Sequence, residues 1–126
     1  MRLKKYYFKK IKSTNDQATR MIKKGIEKGI IIADLQTKGR GQYGKKWISQ
    51  KGNLFMTVFY KINKKKNLNF LTNYNCKLVK RALRNFINKK ITIKPPNDLL
   101  INNNKLCGIL QETIFFKLNK LIIVGI

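Results

Sequence analysis

Apolar residues recur with two different periods along the chain, and these periods predict the order of strands and helices. Leu3–Ile11 interleaves apolar and aromatic residues with charged ones, which is typical of a strand at a sheet edge. Thr14 and Gln17 then have the spacing of a helix capping box. The apolar residues that follow share one helical face: Ala18, Met21, Ile22 and Gly25. The first part of the chain therefore predicts an edge strand and an amphipathic helix that stops between Gly25 and Gly29.

The middle of the chain predicts two strands and a second helix. Ile30–Ala33 is a short apolar run, which indicates a buried strand, and Leu54–Tyr60 is a second β-prone run. After the Lys-rich turn at 64–66, apolar residues recur every three or four positions: Leu68, Leu71, Tyr74, Leu78, Ala82 and Phe86. This spacing predicts a long helix with that apolar face.

Strands dominate the last third of the chain. Ile91–Ile93 ends at a Pro-Pro turn, and an Asn-rich turn joins Leu99–Ile101 to Leu106–Phe116 in a predicted hairpin. Leu121–Ile126 is the last predicted strand. This order of elements predicts an α+β fold, with one mixed β-sheet and helices packed on one face, in a single domain over residues 1–126.

The net charge suggests a polyanion partner, but its distribution does not support a specific one. The 126 residues carry a net charge of +24, with 43% hydrophobic residues. Such a charge attracts polyanions in general. Only five of the 29 basic residues are Arg, however, and the Lys residues are spread along the whole chain. Because a dedicated phosphate-binding surface would cluster Arg, we expect weak, non-specific attraction to nucleic acid and no specific nucleic-acid partner.

The absence of histidine limits the chemistry that the chain can perform. It excludes Ser-His-Asp and Cys-His catalysis and His-bound zinc. Cys76 and Cys107 form no C-x-x-C pair and fit reduced thiols. No apolar run is long enough to span a membrane. We therefore expect a cytoplasmic protein without a membrane partner, whose chemistry depends on positioning and positive charge.

A loop rich in glycine and basic residues carries the strongest functional signal. Gly39–Trp47 reads G-R-G-Q-Y-G-K-K-W and contains the only tryptophan. Three glycines permit close approaches that a Cβ would forbid, the basic residues suit an anion, and the indole offers a flat face for a ring. The loop therefore predicts a flexible segment that closes over a phosphate and a base, although most Gly/Lys runs are solvated turns.

Two further motifs lie at predicted strand ends. Lys94–Asp98 reads K-P-P-N-D, in which the prolines stiffen a turn from which Asn97 and Asp98 project. An amide and a carboxylate there can hold Mg²⁺ or a ribose-phosphate, or they can form an ordinary turn. Lys105–Glu112 reads K-L-C-G-I-L-Q-E, and a glycine inside a β run often marks the close approach of a ligand.

Taken together, these motifs resemble the catalytic domain of the biotin–protein ligases. That domain carries Ser-Thr-Asn near its start, a G-R-G-x-x-G-x-x-W loop after a strand ending in Gln, a K-W-P-N-D turn and a K-x-x-G-I-L-x-E strand. This sequence has Ser13–Asn15, Gln36, Gly39–Trp47, Lys94–Asp98 and Lys105–Glu112 in the same order. The resemblance covers nearly the whole chain and implies the biotin/lipoate–protein ligase core, which is similar to that of class II synthetases.

The resemblance implies a two-step reaction and its partners. Biotin and Mg·ATP would form biotinyl-5′-AMP, and a lysine of a biotin carboxyl carrier domain, such as that of acetyl-CoA carboxylase, would then take the biotinyl group. Such a reaction needs charge neutralisation and alignment rather than histidine. Closing a loop over the adenylate would shield it from water. The sequence leaves open whether the protein forms a homodimer.

The resemblance also implies a role for each matching residue. The catalytic residues would be Arg40 and Lys105. The biotin-binding residues would be Ser13, Thr14, Asn15, Gln36, Gly39, Arg40, Gly41, Gln42, Lys105, Gly108 and Leu110. The residues in contact with ATP or the adenylate would be Arg40, Lys46, Trp47, Lys94, Asn97 and Lys105, and those holding Mg²⁺ would be Asn97 and Asp98.

Three departures from the family pattern affect these expectations. Gln42 stands where the family often has a second Arg, which predicts weaker control of the adenylate, and Pro95 replaces the usual Trp. The strand at Leu121–Ile126 matches one that continues in the family, so we expect a C-terminally truncated domain with an exposed sheet edge. No helix-turn-helix domain or C-terminal β-barrel domain is expected, and a repressor role is not supported.

Three alternatives remain at the level of sequence. A truncated, inactive remnant could bind the carrier domain without catalysis, and a lipoate ligase would share the fold but lacks the G-R-G-x-x-G-x-x-W signature. A basic nucleic-acid-binding protein is the third alternative, and it rests only on charge and scattered aromatic residues.

Overall fold

A computed structural model describes residues 2–126, which divide into two compact units. The first unit combines Met1–Lys64 with Leu110–Ile126, and the second unit is Lys65–Ile109. The predicted single domain over residues 1–126 stays a prediction, and each unit is described by itself below.

The first unit is built on a mixed sheet of five strands in the order β1-β2-β3-β8-β7. These strands are β1 (Lys5–Ile11), β2 (Gly29–Gln36), β3 (Phe55–Ile62), β7 (Leu110–Phe116) and β8 (Asn119–Gly125). Strands β1 and β2 are parallel, and every other neighbouring pair is antiparallel. As the sequence predicts, β1 lies at an edge of the sheet.

Helix α1 (Thr14–Lys23) closes the core of the first unit. Its apolar face is buried as predicted, with Ala18 and Ile22 fully inaccessible to solvent, and it packs with Ile31 of β2 and Phe59 of β3. The N-cap is Ser13 rather than Thr14, because the Ser13 hydroxyl accepts a hydrogen bond from the backbone N–H of Asp16. The predicted capping box was therefore one residue out of register.

Gly25 ends α1, as the sequence predicts. Its φ of 89° lies in the left-handed region that favours glycine, and its N–H donates to the carbonyl of Ile22. The N–H of Ile26 then donates to the carbonyl of Met21. Together these bonds satisfy carbonyls at the end of the helix and turn the chain toward β2.

The second unit consists of α2 (Leu68–Leu83) and a separate antiparallel sheet in the order β4-β5-β6. Its strands are β4 (Ile91–Lys94), β5 (Asp98–Ile101) and β6 (Asn104–Gly108). Lys94 pairs with Asp98 across the Pro-Pro turn, and Ile101 pairs with Asn104 across the Asn-rich turn. Both predicted turns are therefore present.

The buried face of α2 differs from the predicted one. Leu71 and Cys76 are buried, but Tyr74, Leu78 and Phe86 of the predicted stripe are exposed. The helix has apolar side chains on more than one face, so spacing alone could not decide which face packs. Contacts of α2 with β4 and β5 select the face that carries Leu71 and Cys76.

The prediction of one continuous strand over Leu106–Phe116 was wrong, because this segment contributes to two strands that belong to different sheets. It ends in the three-stranded sheet at Gly108 and resumes at Leu110 in the five-stranded sheet. Ile109, between them, is fully buried, and its N–H donates to the carbonyl of Asn97. The last strand, β8, lies between β3 and β7 with Leu121–Val124 buried, and β7 forms the second edge of the five-stranded sheet.

The α+β fold class is confirmed: residues 2–126 contain a mixed sheet and two α-helices, although three of the eight strands in this range form a second sheet. No helix within residues 2–126 is both long enough and apolar enough to cross a membrane.

Candidate functional site

The predicted Gly-rich loop follows β2 and folds back on itself. The N–H of Trp47 donates to the carbonyl of Gly39 at 2.8 Å, and the N–H of Gly41 donates to the carbonyl of Lys45 at 2.7 Å. Tyr43 and Gly44 make the turn with positive φ angles of 56° and 70°. The segment predicted as flexible is therefore a hairpin-like loop held by backbone hydrogen bonds.

Gly39 is the position in this loop where a side chain cannot be accommodated. A Cβ there would lie 2.7 Å from the hydroxyl oxygen of Ser49, 2.8 Å from the carbonyl oxygen of Trp47 and 3.0 Å from the Gln36 amide nitrogen. At Gly41 the nearest atom would be 3.6 Å away, which is ordinary contact. Glycine is therefore required by close packing at Gly39 but not at Gly41.

Arg40 is held by two carboxylates within the first unit. Its Nε and Nη2 donate to Asp16 Oδ1 at 3.1 and 2.8 Å, while Nη1 and Nη2 donate to Glu112 Oε1 and Oε2 at 2.8 and 3.0 Å. The hydrogen bonds to Glu112, together with the charges of both carboxylates, raise the pKa of Arg40 further above its usual value. The guanidinium is therefore fixed on two edges, in the bidentate geometry that arginine offers to carboxylates.

Asn15 lies at the centre of a buried polar network that reaches Arg40. Its Nδ2 donates to Glu112 Oε2 at 2.9 Å and to the carbonyl of Leu110 at 3.2 Å, and its Oδ1 accepts from the Thr57 hydroxyl at 2.6 Å. A Cβ on Gly125 would lie 2.5 Å from Asn15 Oδ1, so β8 must carry glycine at this point. Four residues on β3, β7 and β8 therefore set the position of one amide.

Burial would by itself raise the pKa of Glu112, but the hydrogen bonds that the carboxylate accepts outweigh this effect and lower the pKa. Donors on Arg40 and Asn15, with the positive charge of Arg40, hold the pKa of the carboxyl below its usual value. Glu112 is therefore held in its charged form by the network.

Gln36 connects the start of α1 to the end of the Gly-rich loop. Its Oε1 accepts from the N–H of Thr14 at 2.8 Å and from the Thr14 hydroxyl at 3.1 Å, while its Nε2 donates to the Ser49 hydroxyl at 3.1 Å. The three predicted site residues Ser13, Thr14 and Asn15 are all buried. The sequence motifs at 13–15, 36 and 39–47 therefore meet in one unit, as their joint assignment to one site requires.

The second unit brings together the Lys94–Asp98 motif and the first part of the Lys105–Glu112 motif. Lys105 Nζ lies 3.1 Å from Asp98 Oδ1, and that buried oxygen receives no hydrogen bond of good geometry, so the contact is mainly Coulombic. Asn97 Nδ2 donates to the carbonyl of Ile109 at 2.9 Å. Gly108 pairs with Asp98 in the sheet. Asn97 therefore fixes the start of β5, and Lys105 is paired with a carboxylate.

Two thiols lie near this hairpin and are poor nucleophiles. Burial raises the pKa of Cys76, and it raises the pKa of Cys107 to about 11. Both cysteines are free, as predicted, and Cys76 is fully buried. A thiolate is the reactive form, so these residues fit structural roles.

The prediction of Mg²⁺ at Asn97 and Asp98 finds little support in the donors present. The ammonium of Lys105 already neutralises Asp98, and the amide nitrogen of Asn97 faces a carbonyl. Within residues 2–126, no group of three or more His, Cys, Asp or Glu could hold a metal ion. These two residues alone therefore do not fit a dedicated magnesium site.

Other predicted residues contribute less to the geometry. Lys46 and Lys94 are exposed, Gln42 and Trp47 are half-buried, and Leu110 contributes its carbonyl to Asn15. The roles assigned to all of these residues stay predictions.

Sequence reasoning assigned no role to four residues of the network, namely Asp16, Ser49, Thr57 and Glu112. Glu112 ends a motif that was recognised, and Asp16 directly follows another, so position alone could have drawn attention to them. Thr57 is a polar residue between Phe55 and Phe59 on the buried face of β3, which is a signal in a strand pattern. Their partners lie far away in sequence and could not be read from it.

Comparison with known proteins gives a consistent result. The family described as the biotin/lipoate A/B protein ligase family matches residues 7–126. The protein of Bacillus subtilis (strain 168) named bifunctional ligase/repressor BirA is 31% identical over 112 residues, which are 84% of this chain and 34% of that protein.

Two solved structures are similar to this chain. The biotin protein ligase from Aquifex aeolicus in complex with biotin and ATP has a TM-score of 0.78 and 29% identity, covering 98% of this chain and 51% of that one. The biotin acetyl coenzyme A carboxylase synthetase from Helicobacter pylori with bound biotinylated ATP has a TM-score of 0.82 at 22% identity, covering 99% of this chain and 61% of that one. At that identity the second likeness shows the fold alone. The chain spans about a third of the Bacillus relative and half to three fifths of these structures.

Proposed function

Because the chain belongs to the biotin/lipoate A/B protein ligase family, we propose that it activates biotin with ATP as biotinyl-5′-AMP. The proposal extends to the transfer of the biotinyl group to a lysine of a biotin carboxyl carrier domain. ATP as a substrate and reduced thiols agree with the cytoplasmic location that the sequence predicts.

The observation that carries the proposal is that three sequence motifs are joined by hydrogen bonds within the first unit, which also holds Arg40. The helix start at Ser13–Asn15, the strand end at Gln36 and the Gly-rich loop are joined by hydrogen bonds in one unit. A solved biotin protein ligase, at 29% identity over 98% of this chain, was crystallised with biotin and ATP. Because these residues are distant in sequence and meet in the fold, they support a ligand site more than a solvated turn and a helix cap that are unrelated to each other.

In this proposal the residues of the chain position and neutralise charge. Arg40 would contact the biotin carboxylate and the α-phosphate, which approach each other as like charges. The resemblance assigns the same charge-neutralising role to Lys105. Trp47 would pack against adenine, and the Gly39–Trp47 loop would exclude water from the mixed anhydride.

In each of the two steps, one bond forms at the reacting centre and one bond breaks. In the first step a biotin carboxylate oxygen bonds to the α-phosphorus, and the bond from that phosphorus to the bridging oxygen breaks to release pyrophosphate. In the second step the amine of the carrier lysine attacks the acyl carbon, AMP leaves and the amine loses a proton. Mg²⁺ would enter with the phosphates of ATP and would supply charge neutralisation.

Biotin-dependent exchange of labelled pyrophosphate into ATP tests the proposal. We expect exchange that requires both biotin and Mg·ATP. Replacing biotin with lipoate in the same assay tests the alternative that the chain is a lipoate ligase. Transfer is tested separately with a carrier domain and detection of a biotinylated lysine. No exchange, combined with no thermal shift by biotin plus Mg·ATP, would contradict the proposal and favour a chain that only binds the carrier domain.

A further inference from the structure

Glu112 contacts both of the groups that fix the site of the first unit. Its Oε1 accepts from Arg40 Nη1, and its Oε2 accepts from Arg40 Nη2 and from Asn15 Nδ2. One carboxylate therefore aligns a guanidinium and an amide that belong to different elements. Its side chain is one-third exposed, so it is partly accessible to solvent.

The Asn15 amide has no N–H left to offer. Carbonyl and carboxylate oxygens only accept, so Leu110 and Glu112 require the Nδ2 end of the amide, and both of its N–H groups are then used. The Thr57 hydroxyl must donate to the Oδ1 end. Because Asn15 is only 3% exposed, it acts through Glu112 more than as a donor to a ligand.

Most N–H groups of the Arg40 guanidinium are also occupied by hydrogen bonds. Four of the hydrogen bonds that its guanidinium makes are with carboxylates, and a guanidinium has five N–H groups. An anion that binds in bidentate fashion therefore needs one edge of Arg40 to change partner. Asp16 takes the Nε–Nη2 edge, and Glu112 takes the Nη1–Nη2 edge.

The two carboxylates differ in how they are anchored. Asp16 Oδ1 makes both of its contacts with Arg40, and its side chain is 39% exposed. Glu112 is also bonded to Asn15, which Thr57 and Gly125 hold from two further strands. If a ligand anion takes the place of Asp16 on Arg40, only the Asp16–Arg40 ion pair is broken. If it takes the place of Glu112, the hydrogen bonds that align Asn15 are disturbed as well.

From this asymmetry we propose that Glu112 is a positioning residue that keeps Arg40 and Asn15 aligned during the reaction, and that Asp16 occupies the edge of Arg40 that the substrate anion takes. The inference rests on the proposed function for the identity of that anion, which is a carboxylate or a phosphate. It assigns opposite roles to two acidic residues that contact the same guanidinium.

Three matched amide variants test the roles. Glu112→Gln keeps an acceptor for Asn15 but loses the charge, so Arg40 is misaligned and kcat for adenylate formation falls by about 10-fold to 100-fold with KM changed by less than threefold. Asp16→Asn removes a competitor for Arg40, so KM for biotin falls by about threefold to tenfold with kcat nearly unchanged. Glu27→Gln, which breaks the pair with Lys61 elsewhere in this unit, changes neither.

Trypsin provides a readout that does not depend on catalysis. The loop offers Arg40, Lys45 and Lys46 as cleavage sites, and we expect Glu112→Gln to be cut there several times faster than Glu27→Gln, with melting curves checking that each variant folds. Unchanged cleavage, or a loss of kcat in Asp16→Asn as large as in Glu112→Gln, would overturn the inference. Absence of exchange in the unmodified chain would instead count against the proposed function, and the cleavage rates would still show whether Glu112 holds the loop that carries Arg40.

Discussion

Arg40 and Lys105 are the two cations predicted to act in catalysis, and they are held in different ways. Arg40 is bonded to two carboxylates, one of which belongs to a network that spans α1, β3 and β7. Lys105 Nζ lies 3.1 Å from Asp98 Oδ1 in a short hairpin. The first arrangement fixes direction as well as charge, whereas the second fixes mainly charge, in line with the difference between a planar fork and a single ammonium.

This difference suggests that the geometry of the site is set in the first unit. Each partner of Arg40 is itself bonded to the fold, either at the helix start or through Asn15. The consequence is that changes around Arg40 are expected to affect alignment, loop order and stability together. Changes at Lys105 are expected to affect charge while leaving the first unit intact.

The largest expected effect follows from removing the guanidinium. Arg40→Ala eliminates the fixed positive charge and leaves Asp16 and Glu112 facing each other, so adenylate formation should fall by about 100-fold to 1,000-fold. Pyrophosphate exchange measures it. Lys64→Ala is the control, because the substitution keeps the Lys64 backbone carbonyl that accepts a hydrogen bond from Lys120 Nζ. Similar, small effects of both variants would refute the assignment of the loop.

A smaller effect is expected from crowding Asn15. Gly125→Ala places a Cβ 2.5 Å from Asn15 Oδ1, against a buried amide that three hydrogen bonds hold in place. We expect the free energy of unfolding to fall by about 1 to 3 kcal/mol. Urea denaturation measures it. Gly41→Ala is the matched control, since its Cβ would make only ordinary contacts, and equal losses in both variants would contradict the network.

The smallest expected effect is a loss of stability at low pH. The pKa of Glu112 is lowered in the folded protein from its usual 4.5. A lowered folded-state pKa contributes stability that is present above pH 4.5 and is lost as the pH falls through the lowered value.

The melting temperature of the unmodified chain should therefore exceed that of Glu112→Gln at pH 6 to 7, and the difference should shrink below about pH 4.5. Differential scanning calorimetry across this range measures it. Glu27→Gln serves for comparison, because a hydrogen bond from Lys61 also lowers the pKa of Glu27. A difference between the unmodified chain and Glu112→Gln that stays constant with pH would argue against the network as the source of the shift.

Much of the local structure could be predicted from the sequence. The bounds of β2 and β3 were found to within a few residues, and the end of α1 was marked by Gly25. The sequence motifs also single out Ser13–Asn15, Gln36 and Arg40, which the structure places in one unit. These signals are local, because caps, turns and strand periods depend on neighbours within a few positions.

Three features depended on contacts between distant residues. The buried face of α2 was set by β4 and β5, and the run Leu106–Phe116 was divided because its two halves pair with different partners, Asp98–Ile101 on one side and β8 on the other. The role of Thr57 required Asn15, 42 residues away, to be placed beside it. No period within one segment contains that information.

The sequence by itself therefore determined which residues belong to the family's motifs and where most helices and strands lie, because short-range periodicity and turn chemistry encode both. Only the tertiary structure decided that Arg40 is shared between Asp16 and Glu112 and that Asn15 is bonded on both ends of its amide. The physical reason is that a hydrogen bond is specified by the positions of two groups, and here strand pairing across the sheet brings those groups together.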